Sequence, residues 1–138
     1  MSEQSTRATV ERVREVFDAL NGGDFDALTS LCAPGAVYES VAMGARFEGG
    51  AAIREFCEDM VGTNESFDAD IGENLDLGNG IGLAVVNQKG RPAGSSVDAR
   101  MRYAAVSVWA GELLVRITMY TDIGDARAAA ERLAQGWG

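Results

Sequence analysis

Histidine is missing from this 138-residue chain, proline and cysteine occur twice each, and 12 lysine and arginine residues face 21 acidic ones. Each shortage removes a class of chemistry. Without imidazole there is no Ser-His-Asp or Cys-His relay and no HExxH zinc site. Proton transfer then falls to carboxylates, tyrosine, lysine or water. Cys32 and Cys57 form no CxxC pair and sit within apolar helical patterns, so they read as buried core thiols, and no histidine stands ready to activate them. No metal and no cofactor is expected. The net charge of -9 disfavours nucleic acid, which needs an excess of cations, and no apolar run approaches the roughly 18 residues of a membrane span. The opening MSEQSTRATVER has no apolar stretch of the kind that directs secretion, so a cytoplasmic location is expected.

What is present is an ordinary globular composition, 46% hydrophobic and 24% charged. A chain of this length buries about two-thirds of its unfolded surface, which suffices for one real core. With no repeat, linker or low-complexity tract, residues 1–138 read as a single domain.

The apolar period is helical first and strand-like later. Val10, Val13, Val16, Phe17 and Leu20 share one face of a helix over Thr6 to Leu20, ended by Asn21-Gly22-Gly23. Asp24 caps a shorter helix carrying Phe25, Leu28, Leu31 and Cys32, closed by Pro34-Gly35. Ala36 to Ser40 reads as a strand, and Gly49-Gly50 opens a helix with Ile53, Phe56, Cys57 and Met60 on its apolar face. Four strands follow, over Phe67 to Leu77, Ile81 to Lys89, Val97 to Trp109 and Leu113 to Thr121, with turns at Gly78-Asn79-Gly80, Gly90-Arg91-Pro92 and Ala110-Gly111. An alanine-rich helix from Gly124 to Ala134 closes the chain. Three helices cover such a sheet only if it curls around them, and a curled sheet leaves a cavity suited to a small molecule.

The runs Asp18 to Leu28, Cys32 to Glu39 and Phe47 to Phe56 resemble, in order and spacing, the SnoaL-like and ketosteroid isomerase-like families of the NTF2-like superfamily. The resemblance covers about residues 10 to 60. It implies an α+β, cone-shaped NTF2-like (cystatin-like) fold, in which a curved antiparallel sheet wraps around N-terminal helices. It also implies a homodimer joined through the open sheet face. Most of the matching residues are caps, turns and core positions, so they point to the fold rather than to an activity.

In the isomerases an aspartate acts as base, while a tyrosine and a protonated aspartate hold the dienolate oxygen. The resemblance puts those positions at Ser40, at Val16 and at Ala104 or its neighbour Tyr103. Serine has no proton affinity near neutral pH and valine donates no hydrogen bond, so steroid isomerisation by that route is not expected. Related epoxide-opening members use acidic residues, and the resemblance puts Glu65 near one of those places but Ser40 at the other, so that Glu39, one residue earlier, would serve only if a bulge turned it inward. Both glutamates also read as solvated surface acids. Alternation and family register put Leu114, Arg116, Thr118 and Tyr120 on one strand face, looking into the cavity, and Arg100, Arg102, Ala104 and Val106 together on the preceding strand. Arg100 and Arg102 fit either an outer-face ion pair or the pocket. Tyr38, Phe56 and Tyr120 supply aromatic walls, and Asp122 is either a carboxylate at the rim or the cap of the last helix.

Two functions follow. One is an enzyme of small-molecule, secondary metabolism: a polyketide cyclase, isomerase or epoxide hydrolase acting on a largely apolar polyketide- or terpenoid-like substrate. Arg116 and Tyr120 would polarise an oxygen, and Asp122, Glu39 or Glu65 would move the proton. The other is a non-catalytic module that binds a small apolar molecule, or dimerises, with the same cavity.

Overall fold

The computed structural model describes residues 2–136, with side chains from 9 to 136. The opening polar run therefore lies largely outside the described side chains. Helix α1 (Ser2–Gly22) and the short α2 (Phe25–Ser30) lead into strand β1 (Cys32–Ser40), β2 (Ala45–Glu48) and helix α3 (Gly50–Gly62). The long strands β3 (Asn64–Gly78), β4 (Ile81–Pro92), β5 (Ala99–Ala110) and β6 (Leu113–Tyr120) follow, and α4 (Ile123–Ala134) ends the described chain. Asp24 and Asp122 cap α2 and α4 by accepting from the Ala27 and Asp125 N–H groups, 3.1 and 2.9 Å away.

The six strands form one curved, unclosed sheet in the order β2-β1-β6-β5-β4-β3. The helices and strands read from the sequence are present, with three differences. The sheet is mixed, because β1 lies parallel to β6 while every other pair is antiparallel. The short β2 alternates half-buried Ala45 and Phe47 with exposed Arg46 and Glu48, but four residues are too short a run to stand out in the sequence. Pro34 and Gly35 lie inside β1 rather than closing α2, and Cys32 begins that strand. Their stretch is the irregular part of the β1–β6 pairing, where proline's missing N–H is tolerated.

Alternation divides the buried residues between the two sheet faces. The concave face carries Ala69, Ala84, Val86, Tyr103, Ala105 and Ile117, packed with Val13, Val16, Phe17 and Leu20 of α1 and with Leu28, Ile53 and Cys57. The convex face carries Ile81, Leu83, Ala104 and Val106 beneath Ala126 and Ala130 of α4. Small residues let helices approach on both sides. At Gly82 an added Cβ would sit 2.7 Å from Ser107 Oγ and 3.3 Å from Thr9 Cγ2, so glycine is what allows α1 its close seat.

Two asparagines tie α1 to β3, the sheet's edge strand. Asn21 donates to the Ala69 carbonyl at 2.9 Å and accepts from the Ala69 N–H at 2.7 Å, so its side chain mimics a neighbouring strand. Asn74 donates to the Val10 carbonyl at 3.1 Å. Ala69 is only 2% exposed, so removing Asn21 leaves backbone groups that water reaches poorly. Asn21→Ala is expected to cost about 1–3 kcal/mol of unfolding free energy, measured by urea denaturation. A loss below about 0.5 kcal/mol, the usual scatter of surface substitutions, would contradict the clamp.

Candidate functional site

Between the concave face and the first three helices lies a cavity of about 150 Å³. Helix α1 contributes Val16, Phe17 and Leu20, and α3 contributes Ile53, Phe56, Cys57 and Met60, whose spacing puts all four on one helical face. The sheet supplies Tyr38 and Ser40 from β1, Met101 and Tyr103 from β5, and Leu114, Ile117 and Met119 from β6. Met43, in the turn after β1, and Met101 are exposed and stand where the cavity meets solvent. Phe56 stacks on Phe47, ring centroids 4.5 Å apart, and meets Tyr38 at 5.0 Å, which fixes α3 against β1 and β2.

The residues singled out from the sequence separate into two groups. Val16, Tyr38, Ser40, Phe56 and Tyr120 line the cavity, and Tyr120 also packs against the α4 cluster. Arg116, Thr118 and Glu39 do not. They meet on the convex face, where Arg116 Nε donates to Glu39 Oε1 at 2.8 Å, Thr118 Oγ1 lies 3.5 Å from the same oxygen, and Arg46 lies 3.9 Å from Oε2. The inward placement expected for Arg116 and Thr118 is corrected by a bulge. Leu114 pairs with Trp109 but Arg116 pairs with Val108, so Val115 is an extra residue and the alternation of β6 inverts after it. Leu114 and Ile117 are therefore both inward.

Elsewhere the structure takes one of the alternatives that the sequence left open. Ala104 lies on the convex face under α4, and its neighbour Tyr103 occupies the inward position. Arg102 is exposed on the outer face in a shallow groove with Asp70, Asn87 and Arg100. Glu65 accepts from the Gly94 N–H at 3.2 Å in the turn between β4 and β5. Asp122 is the α4 cap rather than a carboxylate of the cavity rim. Sequence reasoning missed Gln88, Met43, Met101 and Met119. The first lies on the inward alternation of β4 after Ala84 and Val86, a signal that period-two counting contains.

Among the described residues no charged side chain lines this cavity. Its polar groups are neutral hydroxyls, thiols and one amide. The Tyr103 hydroxyl donates to Gln88 Oε1 at 2.9 Å, and Gln88 Nε2 lies 3.6 Å from Met101 Sδ. Ser40 Oγ accepts from the Met43 N–H at 3.3 Å and so closes the turn after β1. Burial pushes the Tyr38 and Tyr103 phenols well above their ordinary value, and each is raised further by nearby weak acids, Cys57 for Tyr38, and Tyr38 with Cys57 for Tyr103. Burial likewise raises Cys32 and pushes Cys57 up to about 12, helped by Cys32 and Glu58. These groups hold their protons through the neutral range. The site can donate hydrogen bonds and enclose apolar surface, but burial leaves none of these four groups poised to exchange a proton near pH 7.

A family model for the SnoaL-like domain matches residues 13–117. The chain belongs to the SnoaL-like family. Solved structures agree on the fold. A protein of ketosteroid isomerase-like fold from Catenulispora acidiphila, crystallised with trimethylamine, superposes with a TM-score of 0.74 at 21% identity over 80% of this chain and 84% of its own. An LEH-like epoxide hydrolase from M. tuberculosis gives 0.74 at 19% identity over 92% of each chain. An NTF2-like protein from Burkholderia pseudomallei gives 0.72 at 13% over 86% and 93%. No curated protein matches the sequence significantly. At these identities the likeness is one of fold, and the SnoaL-like domain's chemistry here rests on its own cavity walls.

The raised thiol has a consequence for stability. The unfolded chain loses its Cys57 proton near 9.0 while the native chain keeps it to about 12, so the native state binds more protons in that window and stability falls as pH rises through it. Urea denaturation is expected to show stability declining above about pH 9, with a shallower decline in Cys57→Ala. An equal slope in the two proteins would contradict the burial of that thiol.

Proposed function

We propose that this SnoaL-like domain binds a small, neutral, largely apolar molecule in the cavity between α1, α3 and the concave sheet face. The observation that carries the reading is the neutrality of the walls. A charged ligand would lose its hydration and find no partner of opposite sign, which costs several kcal/mol, whereas a neutral apolar one gains about 25 cal/mol for each Å² removed from water. A volume of about 150 Å³ suits a molecule of roughly one ring, the size class for which a dry apolar cavity of that volume is known to bind benzene. Gln88 and Tyr103 form the polar pole, where a single carbonyl, ether or hydroxyl oxygen finds a donor. The Catenulispora neighbour, of the same fold, holds a small molecule, and this supports a ligand of modest size.

An enzyme of the cyclase, isomerase or epoxide hydrolase kind is the second reading. It is favoured by the epoxide hydrolase among the structural neighbours and by two phenols in one cavity. Tyr38 and Tyr103 would polarise an oxygen. The proton acceptor that such reactions require is what the neutral walls do not provide, and binding without turnover therefore accounts better for the site.

Titration calorimetry with neutral single-ring compounds tests the proposal. Saturable one-to-one binding is expected in the unaltered protein. Val16→Trp, which fills the cavity from α1, is expected to weaken it by at least about tenfold, with an overpacking cost of about 1–3 kcal/mol in stability. Unaltered affinity in a folded Val16→Trp protein would contradict the site.

A further inference from the structure

Every described sulfur in the protein faces one place. The chain has two cysteines and five methionines, and Met1 is outside the described residues. The remaining six, Cys32, Met43, Cys57, Met60, Met101 and Met119, all line the cavity. They arrive from different elements: Cys32 from β1, Cys57 and Met60 from α3, Met101 from β5, Met119 from β6 and Met43 from the turn after β1. The rest of the core is built without sulfur, from alanine, valine, leucine, isoleucine and aromatic residues. Packing alone asks for no such segregation, because leucine fills the volume of methionine at little cost.

Sulfur differs from an aliphatic carbon in two ways that matter to a ligand. It is polarizable and makes favourable contacts with the edges of aromatic rings, worth about 0.3–1.5 kcal/mol each. Methionine is also unbranched, with three rotatable bonds, so a methionine wall adapts to the shape it encloses. The exposure of Met43 and Met101, 62% and 53%, puts two of these adaptable side chains at the mouth, where a planar ring passes more easily than a puckered one. Tyr38, Phe56 and Tyr103 add ring faces to the same walls.

We propose that the cavity selects aromatic over saturated ligands: a planar ring carrying one oxygen, held among the thioethers with its oxygen at Gln88 and Tyr103. This rests on the binding reading above and deepens it. It narrows the ligand from apolar molecules at large to phenols, aryl ketones and similar compounds, and it disfavours alicyclic terpenoids of equal size.

Phenol and cyclohexanol, alike in carbon count and hydroxyl, form the test pair. Calorimetry on the unaltered protein is expected to give at least about tenfold tighter binding of phenol, the effect of two or three sulfur–ring contacts. In the double variant Met60→Leu and Met119→Leu the ratio is expected to fall to about two- or threefold, with cyclohexanol affinity little changed. Thermal unfolding and near-ultraviolet dichroism check that the variant retains its fold, and Met60→Leu alone serves if the double variant does not. Equal binding of both compounds by the unaltered protein overturns the aromatic selection while leaving the cavity as a binding site. A preference that survives in the variant overturns the role of sulfur. Binding of neither compound overturns the proposed function itself.

Discussion

The cavity depends on the distance at which α1 is held from the sheet. A sheet of this length has an open edge at β3, and backbone groups on an edge seek a partner. Asn21 satisfies one position of that edge with its amide, Asn74 reaches back to the α1 backbone, and the helix lies along the strand rather than across the middle of the sheet. Gly82 and Ser107 let it come close at one end. Farther along, Val16 and Leu20 span to α3 and β1 without filling the space between. An apolar void of this size is unfavourable in itself, since its lining atoms lack neighbours, and a ligand of matching surface restores those contacts.

The second constraint is the separation of charge from the interior. The chain carries a net charge of -9, yet the cavity walls are neutral, and the ions are kept on the convex face and the helix exteriors. There Arg116, Glu39, Arg46 and Glu48 form a string of ion pairs, and Arg127 of α4 meets Glu73 of β3 at 3.0 Å. Exposed pairs of this kind are worth about 0–1 kcal/mol each, so they contribute more to solubility than to the fold. Their absence from the cavity is what lets burial raise the phenols and thiols unopposed. The interior therefore offers hydrogen-bond donors of very low acidity.

The sequence made most of the architecture legible because period and punctuation agree. Val13, Phe17 and Leu20 mark one helix face, Asp24 and Asp122 sit where caps belong, and the glycine turns separate the long strands. The site was legible in part. Val16 and Ser40 follow from the family resemblance laid on the chain, and Tyr38 and Phe56 from aromatic residues at the spacing of their elements. Arg116 was misplaced because one extra residue in β6 inverts the pattern, and the bulge leaves no mark in side-chain type when the extra residue, Val115, is apolar and β-branched like an ordinary strand residue. Ala104 and Tyr103 illustrate the same limit. Both faces of β5 are buried, one by α1 and α3 and the other by α4, so hydrophobicity cannot say which looks into the cavity. The gathering of sulfur is a property of the fold, invisible until strands far apart in sequence are brought side by side.

The most direct test of a neutral, sulfur- and aromatic-walled site is the position of a bound ligand. In protein labelled with 13C at the methionine methyls, filtered nuclear Overhauser spectra with phenol are predicted to connect the ring protons to Met60 of α3 and Met119 of β6, and to Met101 at the cavity mouth. Contacts confined to the convex face around Arg116 and Thr118, with the Met60 and Met119 methyls unperturbed at saturation, would contradict the account.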